Sequence, residues 1–240
     1  MQSYKLLSFS YRTIVMSFLV LGVIVGCATS QQAREVKKSG FLEGYYSRLQ
    51  PGEKGEALLV YKNPIAEWKN YTKVIIDPVE VWIGKNSPAQ AMPRNDRIRL
   101  ATSLRGQIRD ALLPDYQFVT KPGPEVLRIS AVITEAEASD PMWDRVSSVL
   151  PGMRLFSGAK SLATGTSTFV GTASIEAKIT DAHLGTVLVA AIDRRSGTKN
   201  LPGVTNQWND VEAIYKYWGN KLRYRLCLWR GQRFCPEPKA

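Results

Sequence analysis

Residues 168–194 read TFVGTASIEAKITDAHLGTVLVAAIDR, and this stretch decides the predicted fold. Small or apolar side chains occupy every second position of its first half, which is typical of a strand with one buried face. The residues on that face are Phe169, Gly171, Ala173, Ile175, Ala177 and Ile179. Turn-forming residue types follow at 181–185, so we expect the chain to return from Thr186 as the antiparallel partner of a hairpin.

Helices are predicted on both sides of this hairpin along the chain. From Asn95 to Leu113 apolar side chains recur at helical spacing, with Asn95 as the expected N-cap. A second helix is predicted from near Gln207 to Trp229. Its apolar stripe consists of Trp208, Val211, Tyr215, Trp218, Leu222, Leu226 and Trp229. These aromatic residues would also suit a membrane, but a core position is favoured because the apolar face of a sheet needs a covering helix.

Further strands are predicted at 57–61, 71–83, 116–120 and 126–138, and Pro78 should interrupt the second of them. The order of elements predicts one α+β domain over residues 57–240. Its sheet is expected to be mainly antiparallel, with two helices packed on one face.

Residues 27–56 are predicted to form a tether. Its polar first part should be mobile, whereas the aromatic part around Phe41 and Tyr46 should dock on the domain.

The first 26 residues have the pattern of an export signal. Lys5 and Arg12 precede an apolar run at 14–25, which is shorter than the ~20 residues that a membrane-spanning helix needs. The run ends in Ile24-Val25-Gly26-Cys27, which resembles the lipobox of bacterial lipoproteins. The resemblance implies cleavage before Cys27 and acylation of its thiol with palmitate-type chains, which would anchor the protein to a membrane. The alternatives are a plain secretory signal and an uncleaved anchor.

Ala28 follows the cysteine where an aspartate would imply retention at the inner membrane. By the same resemblance, the predicted location is the periplasmic side of the outer membrane. The net charge of +11 includes Lys5 and Arg12, which would leave with the signal. The remaining surplus suits anionic lipids or acidic glycans, and it is equally common on surfaces without a partner. Because the basic residues are scattered, no nucleic acid is expected as a partner.

The cysteines that remain after Cys27 are Cys227 and Cys235. In an oxidising compartment such a pair is expected to form a disulfide, which would clip the C-terminal tail onto the last helix. The alternative is a metal pair, but His183 is the single histidine of the chain and a zinc site needs about four ligands. No metal and no cofactor are therefore predicted.

No enzyme activity is predicted, because no convincing catalytic set is visible. Ser157 and Lys160 match the S-x-x-K pattern, but the companion motifs of the acyl-enzyme families are missing. Glu135 and Glu137 point the same way at a strand end where solvent is expected. His183 is placed in the hairpin turn. A serine hydrolase that uses Ser157 is the weakest alternative.

The stretch 139–165 is long for a loop inside a compact domain, and such loops are often functional. Its apolar residues suit an adaptable surface for a protein partner or a membrane. The predicted contact residues are Met142, Trp143, Val149, Leu150, Met153 and Phe156. The alternative is a short helix that caps the edge of the sheet.

Four short motifs are distinctive: Ser39-Gly40-Phe41-Leu42, Trp68-x-x-Tyr71, Asp77-Pro78-Val79-Glu80-Val81-Trp82 and Gly185-Thr186-Val187-Leu188. Together they resemble the DUF3313 family of bacterial lipoproteins. The resemblance covers nearly all of the chain after Cys27. It implies lipoprotein status and no activity, because the family name records an unknown function. More loosely, the order of elements is similar to small α/β envelope lipoproteins that pack against secretion, pilus or flagellar machinery.

The sequence thus predicts a non-enzymatic, lipid-anchored envelope protein that holds a protein partner at the outer membrane. The alternative is a binding module for a lipid or a glycan. That alternative predicts an apolar pocket between sheet and helix, lined by Trp82, Trp143 or Trp218.

Overall fold

The computed structural model describes residues 30–33, 35–82, 92–138, 171–197 and 208–238. The predicted lipidation site Cys27 and the predicted contact loop 139–165 lie outside these ranges. The loop's six contact residues therefore lie outside as well, and so do Ser157 and Lys160.

Within the described ranges the chain forms a sheet, two helices and two short 3-10 turns. The strands are β1 (Ser30–Gln32), β2 (Gln50–Pro51), β3 (Leu59–Lys62), β4 (Lys73–Ile76), β5 (Glu80–Val81), β6 (Gln117–Phe118), β7 (Val126–Glu137), β8 (Thr172–Asp181) and β9 (Val187–Gly197). The helices are α1 (Arg94–Leu112) and α2 (Asn209–Trp229), and the 3-10 turns are Glu43–Tyr45 and Trp68–Asn70.

The sheet is mixed and mostly antiparallel, which confirms the predicted α+β class. Its centre consists of β3, β9, β8 and β7 in that order, and these four strands pair with one another antiparallel. The strands β4 and β5 pair with β7 in parallel, and β6 pairs with β4 in parallel. Parallel neighbours need a crossover connection, and α1 supplies it because it lies between β5 and β6 along the chain.

The hairpin predicted from the opening stretch is confirmed by β8 and β9. Asp181 closes its turn, because one carboxylate oxygen accepts the backbone N–H groups of His183 and Leu184, both at 2.8 Å. Gly185 has a φ of +70°, a conformation that glycine adopts without steric cost. His183 is exposed in this turn, as predicted.

Two local predictions need correction. Asn95 is not the N-cap of α1, because the helix begins at Arg94 and Pro93 takes the capping position with an extended ψ of 144°. The composition of Ser30–Gln32 predicts a mobile tether, but these residues pair with β9 as an added strand. The predicted interruption at Pro78 is confirmed, since it separates β4 from β5.

Buried side chains form two clusters on opposite faces of β9, where Val189 belongs to one cluster and Ala190 and Ile192 to the other, because successive residues of a strand alternate between the faces. The larger cluster joins Ile133 and Ile175 of the sheet to Leu104 of α1 and Tyr215 of α2. The core position predicted for the stripe of α2 is therefore confirmed. Within the part of the chain described, neither helix combines the length and the apolarity that crossing a bilayer requires.

The smaller cluster forms where the aromatic segment around residue 42 docks on the sheet, as predicted. Leu42 packs there against Val187 and Ile192. Beneath this segment, on β8, the fully buried carboxylate of Glu176 accepts hydrogen bonds from the Ser39 backbone N–H and the Tyr46 hydroxyl, both at 2.6 Å. The motif that begins at Ser39 thus fastens the N-terminal segment to β8.

Candidate functional site

An apolar pocket of ≈150 Å³ lies between the sheet and the C-terminal half of α2. An engineered apolar cavity of about 150 Å³ binds benzene, so this pocket has room for about six carbon atoms. Its apolar lining from the strands is Val60, Ile129, Ala131, Ile175, Ala177, Ile179, Val189 and Ala191. Its lining from the helices is Ile108, Tyr217, Trp218, Leu222 and Trp229.

The pocket exists because three alanines meet in one row across the sheet. Ala177 on β8 lies opposite Ala131 on β7 and opposite Ala191 on β9. We call these three residues the alanine row. The next row on one side is Ile129, Ile179 and Val189, whose larger side chains form a wall. Ala177 and Ala191 are only half-buried although they lie at the centre of the sheet, so α2 does not fully cover the row.

A buried carboxylate lies at one end of the pocket. Asp193, which is 6% exposed, accepts hydrogen bonds from Trp218 Nε1 at 2.7 Å, from Gln32 Nε2 at 2.6 Å and from the Leu58 backbone at 3.1 Å. Burial raises the pKa of Asp193, and the donors on Gln32 and Trp218 act in the opposite direction. These bonds fix the indole of Trp218 over the pocket and tie β1 to the same place.

Charged residues surround this end of the pocket and form what we call the charged rim: Glu56, Lys221 and Arg225. The Glu56 carboxylate lies 3.1 Å from Lys62 Nζ and 3.6 Å from Arg225 Nη1. Burial alone would raise the pKa of Glu56, but a backbone hydrogen bond from Glu53 and the charges of Lys62 and Arg225 lower it. Lys221 Nζ lies 2.9 Å from Glu237 Oε1 in the C-terminal tail.

The predicted pocket residues Trp82 and Trp218 lie in different places. Trp218 lines the pocket, whereas Trp82 is 38% exposed and packs edge-on against Phe41 with ring centroids 6.1 Å apart. Trp143 lies outside the described residues. Trp82 does not line this pocket, because its neighbour Val81 packs against the larger cluster and successive residues of a strand face opposite sides of the sheet.

The other predicted residues lie apart from the pocket. Cys227 and Cys235 are joined in a disulfide, which confirms their predicted pairing. Glu135 is paired with Arg194 at 2.7 Å rather than free in solvent. Glu137 is exposed, with its carboxylate 3.4 Å from the Thr172 hydroxyl.

The sequence pattern does not identify Asp193, Lys221 and Arg225 as site residues. Asp193 directly follows the apolar first half of β9, and Lys221 and Arg225 lie one helical turn apart beside Leu222. Both features are visible in the sequence. Their meeting at one pocket depends on how β9 packs against α2.

Fold and pocket together define an α+β domain with a small apolar pocket under a helix. The chain belongs to the DUF3313 family, described as a protein of unknown function, whose model matches residues 37–222. No curated protein matches the chain.

Among solved structures, the chain is similar to PelC from Paraburkholderia phytofirmans and to a variant of it, both described as dodecamers. The variant is 10% identical with a TM-score of 0.36, and the match covers 73% of this chain and 96% of that chain. PelC in a second crystal form is 8% identical with a TM-score of 0.35, at the same coverage of 73% and 96%.

Proposed function

We propose that this protein is a non-enzymatic binding module of the bacterial envelope that takes the hydrocarbon part of a small amphiphile into its pocket. The observation that carries this proposal is the alanine row, which leaves an apolar space between the sheet and α2. Its walls offer few hydrogen-bonding groups, which favours a lipid over a glycan as the ligand.

The proposal includes an arrangement in which both helices cover the same face of the sheet. Ile108 of α1 and Trp218 of α2 line one pocket, which supports that arrangement. The two helices also approach closely at Gly219, where a side-chain Cβ would lie 2.6 Å from the Gln107 carbonyl oxygen. A single covering layer of this kind would place side chains of both helices in the wall of the pocket that faces the sheet.

The proposed location follows from the N-terminal sequence. Residues 1–26 would be removed, and Cys27 would carry palmitate-type chains on the periplasmic side of the outer membrane. The disulfide between Cys227 and Cys235 supports an oxidising compartment. Growth of expressing cells on labelled palmitate tests the anchor. The label should enter the protein and be lost in Cys27→Ser, and an unlabelled wild-type protein would refute lipidation.

Binding is tested with a series of straight-chain alcohols of increasing length. Each buried CH₂ contributes ~0.8 kcal/mol, which is about a fourfold change in Kd. Affinity should rise by that factor per carbon up to about six carbons and then level off, because the pocket is then full. A flat series would refute the binding proposal, and a rise that continues beyond ten carbons would indicate adsorption to the surface instead.

The adapter role at the outer membrane stays a prediction, because loop 139–165 lies outside the described residues. A pull-down from envelope extracts with and without residues 142–156 tests it. Loss of a specific partner upon deletion would support the adapter role, and an unchanged set of partners would remove the loop from it.

A further inference from the structure

The C-terminal tail returns to the charged rim of the pocket. After α2 ends at Trp229, the disulfide holds Cys235 against Cys227 in the last turn of the helix. Two residues beyond Cys235, Glu237 Oε1 accepts a 2.9 Å hydrogen bond from Lys221 Nζ. Lys221 is itself a lining residue of the pocket. A carboxylate of the tail therefore contacts a cation that lines the apolar site.

The two partners of this ion pair differ in their surroundings. The side chain of Lys221 is only 11% exposed, whereas that of Glu237 is 59% exposed. A shielded ammonium beside an apolar pocket needs a counter-charge, because water solvates it poorly there. Glu237 is the single carboxylate paired with Lys221 among the described residues. The Glu237 carboxylate can also leave this ion pair at a small cost in free energy, because water already solvates it.

Several cations act on the Glu237 carboxylate. The hydrogen bond from Lys221 is the main reason why its pKa is lowered, and the charges of Arg225 and Lys54 add to the effect. The other acids at this end already have partners. Glu56 is paired with Lys62 and Arg225, and Asp193 accepts three hydrogen bonds. The position beside Lys221 is thus the place where a negative group is held loosely.

We propose that the ligand of this pocket is an alkyl carboxylate, and that Glu237 marks the position beside Lys221 that the ligand's carboxylate takes. This inference rests on the proposed binding function. The hydrocarbon chain lies along the alanine row, and its carboxylate replaces the tail at Lys221. The tail thereby acts as a built-in competitor. The disulfide need not open for this exchange, because Glu237 lies beyond Cys235.

Ligand titrations of the full chain in lipid nanodiscs test the inference, with protein-free nanodiscs as the blank and ligand-observed NMR as the readout. The probes are octanoate, octanol and octyl phosphate. Octanoate should bind more tightly than octanol to the wild type. Glu237→Gln should tighten octanoate by about two- to fivefold, the range expected when an exposed ion pair no longer competes, and leave octanol unchanged.

Two further variants complete the design. Lys221→Gln should weaken octanoate to the affinity of octanol, because the cation that receives the carboxylate is gone. Glu43→Gln removes an exposed carboxylate from the segment on the opposite face and should change neither ligand. Because Glu237 is exposed, its replacement does not threaten the fold, and thermal melting verifies this for each variant.

The outcomes separate the inference from the binding proposal. If octanol binds but Glu237→Gln leaves octanoate unchanged, or tightens octanol equally, the role of the tail is overturned and the pocket stands. Tighter binding of octyl phosphate than of octanoate overturns the choice of a carboxylate. If none of the three probes binds the wild type, the binding proposal itself fails.

Discussion

Replacing Ala177 with leucine should fill the pocket from its floor. Ala177 is the middle member of the alanine row, with Ala131 and Ala191 opposite it on the neighbouring strands. Leucine adds three carbon atoms, which is about half of the six-carbon capacity expected for a cavity of this size. The half-buried position leaves space for the larger side chain, so the strand should not have to move.

The effect on binding follows from the lost space. A ligand that can bury three fewer carbons loses ~2.4 kcal/mol at ~0.8 kcal/mol per CH₂, so octanol should bind about 50-fold more weakly to Ala177→Leu. Folding stability should instead stay equal or rise by up to ~2 kcal/mol, because cavity-filling substitutions commonly stabilise. Urea unfolding and the same titrations measure the two quantities on one sample.

Ala173 provides the matched control on the same strand. It lies on the same face of β8 but is fully buried in the main cluster, without a pocket beside it. Ala173→Leu should therefore overpack the core and cost about 1–3 kcal/mol. If Ala177→Leu destabilises the protein as much as Ala173→Leu does and leaves octanol binding unchanged, the space over the alanine row does not hold the ligand. That result would refute the assignment of the pocket as the binding site.

Three further predictions concern how the domain is held together. Tyr46→Phe should lower the free energy of unfolding in urea by about 1–3 kcal/mol, because the buried Glu176 carboxylate loses a hydrogen-bond donor at 2.6 Å. An unchanged urea midpoint would show that the N-terminal segment is not fastened there. Gly219→Ala should destabilise by about 1–3 kcal/mol, since its Cβ would lie 2.6 Å from the Gln107 carbonyl oxygen, and a wild-type melting temperature would contradict the close approach of the helices. Replacing Cys227 and Cys235 together by serine should lower the free energy of unfolding by about 2 kcal/mol. This is the low end for a disulfide, because only a short loop is closed. A loss above about 5 kcal/mol would mean that the bond does more than hold the tail.

The main elements of the fold were predictable because their periodicity is local. The alternation around Ile175 and Ile179 predicted β8, and the turn residues at 181–185 predicted its hairpin partner. The spacing of Leu100, Leu104 and Ile108 predicted the buried face of α1. Each of these patterns depends on residues within a few positions of one another, so the sequence contains the signal directly.

Other features depended on contacts between distant segments. Asn95 has a good capping side chain, but the helix starts one residue before it, after Pro93. Ser30–Gln32 is polar and short, and nothing in its composition predicts pairing with β9. Trp82 and Trp218 are both aromatic residues near predicted elements, yet only Trp218 lines the pocket. Composition does not distinguish such cases, because the partner strand or helix decides them.

The sequence by itself determined the α+β class, the hairpin, the covering helix α2 and the pairing of Cys227 with Cys235. Only the tertiary structure decided where the candidate site lies. Ala131, Ala177 and Ala191 form one row because of the register between three strands, and a shift of one residue would point each alanine to the other face. The contact of Glu237 with Lys221 likewise requires the tail to fold back over α2. The free energy of the whole packed core sets both the strand register and the fold-back of the tail. A local sequence pattern contains no information about that free energy.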